Sequence, residues 1–297
     1  MTVSPASATI IAAGTPAGRR RTWWRRLLGR HLAAASLAIV ASVVLVAILA
    51  PVLPIRDPNQ IMSVDRLLGP GERGYVLGTD ELGRDLLSRL IWGARVSLLA
   101  GFGTALLSLA LGGTLGLIAG FVGGWVDNVL MRFTDMILAF PAILLAIGVI
   151  AALGSGLTNA MIAVAIAGFP LYARVVRGSV LTVRELDYVE AARSIGASDL
   201  AIMIRHVVPN ILAPVIVALS LDVGLKIVVT ASLSFLGLGA QPPTADWGNM
   251  IASGRNYIRI STHLVLIPGF AIFLIALCLN IIGDRLRDIL DPRLKNT

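Results

Sequence analysis

Charge is scarce in this chain. Asp, Glu, Lys and Arg make up 14% of its 297 residues, against about 25% in ordinary soluble domains. Aromatic residues reach only 6%, while 56% of the residues are hydrophobic. That balance excludes an ordinary soluble domain and points to an integral membrane protein. The single cysteine, Cys278, lies in an apolar run, which excludes an intrachain disulfide and a Cys-rich metal site. The three histidines, His31, His206 and His263, are far apart and form no His-x-x-x-His pair. Each reads as a local polar or interfacial group rather than a metal ligand. Lysine occurs only at Lys226 and Lys295, and neither belongs to a G-x-x-x-x-G-K-[ST] loop. H-E-x-x-H, G-x-S-x-G and the dinucleotide fingerprint are missing too. Transport or a structural role is therefore expected rather than catalysis. The formal charge of +8 is spread between apolar spans without a single basic patch, so nucleic acid is not an expected partner.

What is present is a series of apolar runs: residues 32–53, 96–119, 131–153, 160–176, 211–233 and 264–282. Each is close to the roughly 20 residues that cross a bilayer, the fourth being short. The first exceeds the roughly 7–15 residues of a signal-peptide core and reads as a retained helix. Before it comes RRRTWWRRLLGR, whose Trp23 and Trp24 fit an aromatic belt. These features predict an all-α polytopic membrane protein with six transmembrane helices. A basic cytoplasmic tail covers 1–30 and a first helix 31–54. An extracytoplasmic loop covers 55–92, a transmembrane domain 93–283 and a cytoplasmic tail 284–297. Six crossings put both termini on one side. With the termini inside, cytoplasmic segments carry sixteen basic residues and the outer segments eight, so the positive-inside rule places both ends in the cytoplasm.

Two spans carry periodic small or polar residues. Ala100, Thr104, Ser108, Gly112, Gly116, Gly120 and Gly124 recur every four residues, a face that lets another backbone come close, either as static packing or as a sliding seam. Asp222, Lys226, Thr230 and Ser234 are also spaced by four. Mid-membrane charges face a partner or a cavity. The strip is either a self-neutralising pair or the lining of a path that meets peptide termini. In the outer loop, Asp80 is expected to cap an interfacial helix with Leu82, Leu86, Leu87 and Leu90 on its apolar face. That loop, with Asp80, Arg84 and Asp85, reads as a structural collar or a landing surface. Further on, GLGAQPPTADWGNM is an outer turn stiffened by Pro242 and Pro243, with Trp247 as an interface anchor.

The longest polar stretch of the second half is DYVEAARSIGASDLAIMIRHVVPN, within a cytoplasmic loop over 180–208. Residues 188–194 are predicted as a short helix with one charged corner at Glu190. Gly196 supplies a turn without a Cβ penalty. Ser198 or Asp199 caps a second helix, and Pro209 marks the start of the next span. Glu190-Ala191-Ala192, then Gly196, then Val208-Pro209 resemble the "EAA…G…" signature of permease subunits in bacterial ABC importers. LGTDELGRDLLSRLIWGARVSL, LSFLGLGAQPPTADWGNMI and NIIGDRLRDILDPRLK are similar to the second-permease type of the dipeptide/oligopeptide/nickel family.

That resemblance implies a type I ABC importer permease fold in the bacterial inner membrane. It implies a second homologous permease, one or two cytoplasmic ATPase subunits and an extracytoplasmic substrate-binding protein. ATP and Mg would sit in the ATPases, with no cofactor in this chain. The loop around Glu190, Ala191, Ala192, Arg193, Gly196, Ala197 and Ser198 would be the element that couples to the ATPase. Short peptides are the expected cargo. Nickel, glutathione, opine and haem-type cargo use the same machinery, and an autonomous secondary transporter is the rival reading.

Overall fold

A computed structural model describes residues 31–290. The expected terminal tails, with Trp23 and Trp24, lie wholly or partly outside the described residues. The architecture is all-helical: α1 (His31–Leu49), α2 (Leu86–Val122), α3 (Gly124–Leu138), α4 (Ala142–Leu153), α5 (Leu157–Arg184), α6 (Asp187–Ser194), α7 (Asp199–Ile202), α8 (Val208–Phe235), α9 (Trp247–Gly254) and α10 (His263–Leu290). Among the described residues, five helices are long and apolar enough to cross a membrane: α1, α2, α5, the continuous run Asp199–Phe235 and α10.

The 131–153 run is not one straight span. It breaks into α3 and α4, bent by 92°. Pro141 supplies the N-cap of α4. Proline drives the residue before it out of helical conformation and carries no N–H, so the helix stops there. The ends of this pair fix its course. Arg184 Nη1 donates to the Gly120 carbonyl at 2.8 Å, and Arg177 forks onto Asp127 at 2.5 and 2.6 Å, so the α2–α3 turn sits beside the end of α5. At the other end Gly156 N–H donates to Leu238 O at 3.1 Å, so the α4–α5 turn sits beside the segment after α8. The broken pair therefore runs from one side of the bundle to the other, which makes six crossings.

Helix α2 begins ten residues before the apolar run predicts. Asp85 is its N-cap, accepting from Ser88 N–H at 2.9 Å. Its 37 residues span about 55 Å, well beyond an apolar bilayer core of about 30 Å, so the helix is long enough to extend past that core. The glycines of the small-residue stripe pack closely on α5. A Cβ at Gly112 would run into the Phe169 carbonyl, and one at Gly116 into that of Ala173. The stripe ends at Gly120; Gly124 lies past the break, exposed, at a φ of 56°.

Candidate functional site

The segment over residues 187–207 is held by its own apolar face. Val189 and Ala192 of α6 and Ile202 of α7 are buried, together with Val207 and with Val180 and Val183 of α5. Glu190, Ala191, Arg193, Gly196 and Ser198 face outward, and Ala197 is half-buried. The expected role of Ala192 in meeting a partner is therefore corrected: its methyl group packs inside its own chain. Gly196 adopts a φ of 83° with open space around its missing Cβ, so the residue is required for conformation, not for room. Ser198 caps α7 by accepting from Ala201 N–H, as the sequence predicts. A π-helical turn over Met203–Val207 then joins α7 to α8.

Beside this segment is a cleft of about 580 Å³ lined by Arg184, Glu185, Glu190, Arg193 and Ser194 with Phe121 and Val122. Three features escape the sequence reading. Ile195 is 85% exposed at the crest of the turn, and Leu200 is 62% exposed beside it. An isoleucine between Ser194 and the turn glycine is the one available signal. Arg184 and Arg177 lash the end of α5, which leads into the segment, to α2 and α3, a role visible only once those turns meet in space.

The strip of four in α8 is brought together but does not line an open surface. Asp222, Lys226, Thr230 and Ser234 are each no more than 6% exposed. Lys226 Nζ lies 3.6 Å from Asp222 Oδ2, and Tyr172 of α5 donates its hydroxyl proton to the same oxygen at 2.9 Å. Thr230 donates back to the Lys226 carbonyl at 2.8 Å. Ser234 Oγ accepts from Ala240 N–H at 3.2 Å. The expected pathway lining is therefore corrected to a packed interior pair, with Tyr172 as the partner that the periodicity missed.

The outer residues are also inward-facing. No helix is capped by Asp80. Its Oδ1 accepts from Leu82 and Arg84 N–H at 2.9 Å each, and its Oδ2 from Arg84 Nε at 2.6 Å. Gly83, at a φ of 77°, completes this tight turn, so the expected helix begins only at Leu86, as the start of α2, and leaves Leu82 outside it. Arg89 adds an ion pair to Asp80 at 3.4 Å and donates to Pro58 O at 3.0 Å and Pro243 O at 3.5 Å. Trp247 is 2% exposed and donates from Nε1 to Leu90 O at 3.0 Å, so it is a core residue rather than an interface anchor. Ser97 Oγ donates to Asp246 at 2.8 Å, and burial raises the Asp246 carboxyl above its usual range despite those bonds. Of the outer-loop and outer-turn residues singled out in the sequence, Asp80, Arg84, Asp85 and Trp247 are buried, while Pro242 and Pro243 are exposed.

Residues 112–296 match the family model described as the inner membrane component of binding-protein-dependent transport systems. The chain belongs to that permease family. Residues 19–70 match the N-terminal TM domain of oligopeptide transport permease C, which makes it an OppC-type permease of an ABC importer. Family members are multi-pass transmembrane subunits, not catalytic chains, and membership implies ATPase and binding-protein partners in general. The permease is 45% identical to the glutathione transport system permease protein GsiD of Pectobacterium atrosepticum, over 93% of this chain and 92% of that one. It is 44% identical to the dipeptide transport system permease protein DppC of Alkalihalophilus pseudofirmus, over 93% and 90%. Its fold resembles an inward-facing structure of the MetNI methionine ABC transporter, with a TM-score of 0.55 at 16% identity, over 68% of this chain and 96% of that one.

Proposed function

We propose that this permease forms half of a translocation path for short peptides delivered by an extracytoplasmic binding protein, and that residues 187–207 couple it to a cytoplasmic ATPase. The supporting observation is the exposed corner at Glu190, held rigid by the buried face of α6 and turned by Gly196. It offers a partner a carboxylate beside the apolar crest of Ile195. ATP and Mg belong to the ATPase subunits, and a second homologous permease supplies the other half of the path. The peptide cargo is carried by the relatives' names: glutathione and dipeptides are both short peptides with free amino and carboxyl ends. Selection between them rests largely with the binding protein.

The test compares three variants in the reconstituted complex. Glu190→Ala removes a charged contact and should lower substrate-stimulated ATP hydrolysis about tenfold. Gly196→Val forces a β-branched residue into a left-handed conformation at a cost of about 1–2 kcal/mol and should release the ATPase. Exposed Asp199→Asn is the control, with parent-like turnover. All three should reach the membrane at normal levels with the partner permease. Parent-like ATPase retention and turnover in the first two would remove this segment from coupling.

A further inference from the structure

We infer that the buried cluster of Tyr172, Asp222 and Lys226 is a latch that makes α5, the cytoplasmic segment and α8 move as one lever, with Tyr172 as the positioning residue. The inference rests on the coupling reading of residues 187–207. Helices α5 and α8 flank that segment on either side. Tyr172 lies twelve residues before the end of α5, and Asp222 fourteen residues after the start of α8. At 1.5 Å per residue, the tie sits about 20 Å from the segment, toward mid-membrane. The two helices also share apolar packing, Val176 and Val180 with Ile211 and Val215 nearer the segment and Val164 with Leu233 beyond it. Such contacts are non-directional and let helices slide, whereas a hydrogen bond at this depth fixes their register.

The bonding is built for that purpose. The Tyr172 hydroxyl donates to Asp222 Oδ2 at 2.9 Å, across from α5 to α8. Lys226, one turn further along α8, compensates the charge at 3.6 Å. Gly168, one turn before Tyr172 on α5, leaves space for the ammonium: a Cβ there would run into Lys226 Nζ and would press on Ser108 Oγ of α2 at 3.2 Å. In an apolar medium no water competes for these groups, so the pair holds one arrangement. Within the cluster, the Tyr172 hydroxyl is the group that bonds across from α5 to α8, because Asp222 and Lys226 belong to the same helix.

Tyr172→Phe should therefore leave the complex assembled and its ATP hydrolysis within about twofold of the parent, while transport per ATP falls about five- to tenfold, the worth of one such bond. A purely structural role would lower assembly and both activities together. Should the single variant fail to assemble, Asp222→Asn/Lys226→Met supplies a charge-free background in which an acceptor for the hydroxyl remains. That double variant should couple normally, and adding Tyr172→Phe, which strands no buried charge there, should uncouple it. Parent-like transport per ATP in both Tyr172→Phe chains overturns the latch, as does equal loss of assembly and both activities in the charge-free chain. A parent complex that neither holds an ATPase nor transports peptide would instead sink the importer reading itself.

Discussion

Single residues in this permease act through what a missing or added atom meets. The glycines of α2 are the clearest case. Gly116 rests on the Ala173 carbonyl, so an added methyl has backbone in its way. Gly116→Ala should destabilise the detergent-solubilised complex by about 2 kcal/mol, the usual range for overpacking. Gly178→Ala on α5 meets nothing within 4 Å and should be neutral or stabilising by up to about 1 kcal/mol. Thermal unfolding of the two variants side by side checks the contrast. Asp246 gives a pH signature. Burial raises its pKa in the folded state, so the folded chain holds that proton more tightly than the unfolded chain. Stability attributable to this group is then present at low pH and lost as pH rises through the ordinary carboxylate range toward the folded value. Asp246→Asn keeps a capping side chain and should gain melting temperature over the parent as pH rises across that window. A constant offset between the two would contradict the buried, proton-holding carboxyl. The stripe's close packing was legible from its four-residue period. The Asp246 environment was not, because Ser97 and Asp246 are 149 positions apart in the chain.

Elements were legible where local chemistry set their ends. The helix that the sequence predicts over 188–194 is Asp187–Ser194 in the structure, because Gly196 and Ser198 punctuate that stretch in sequence. The outer loop departs from its sequence pattern because Asp80 and Asp85 are both good caps. Asp85 captures the helix, and Asp80 is drawn into a turn by Arg84 and Arg89. That choice depends on Arg89 reaching carbonyls 31 and 154 positions away in the chain, which no local pattern encodes. Arg89 should accordingly hold two outer segments together. Arg89→Met leaves the Pro58 and Pro243 carbonyls without this donor and should loosen the collar by about 2 kcal/mol. In spheroplasts, external protease should then cut residues 56–85 and 236–246 faster, while the spans stay intact. Exposed Arg95→Met is the control and should be cut like the parent.

At the scale of the molecule, six crossings were readable from apolar runs alone, because hydrocarbon tolerates only backbone that satisfies itself. The 92° break in the third crossing was signalled by Pro141, yet its consequence needed the contacts at both ends of the α3–α4 pair. Those contacts set one side against the other: the 124–127 turn lies with the end of α5, and the 154–156 turn lies with the segment after α8. The charge count then orients the whole. Sixteen basic residues fall on the side of the termini and eight on the other, so the positive-inside rule predicts residues 187–207 in the cytoplasm and residues 50–85 outside. Single cysteines test this directly. Cys278 is buried, and Cys278→Ser provides a silent background. Ser63 and Ser198 are both exposed in the structure, so access to either depends on sidedness and not on burial. In intact cells an impermeant thiol reagent should label Ser63→Cys and spare Ser198→Cys; permeabilised cells should label both. Labelling of Ser198→Cys before permeabilisation would invert the molecule and put the Glu190 corner out of reach of any cytoplasmic ATPase.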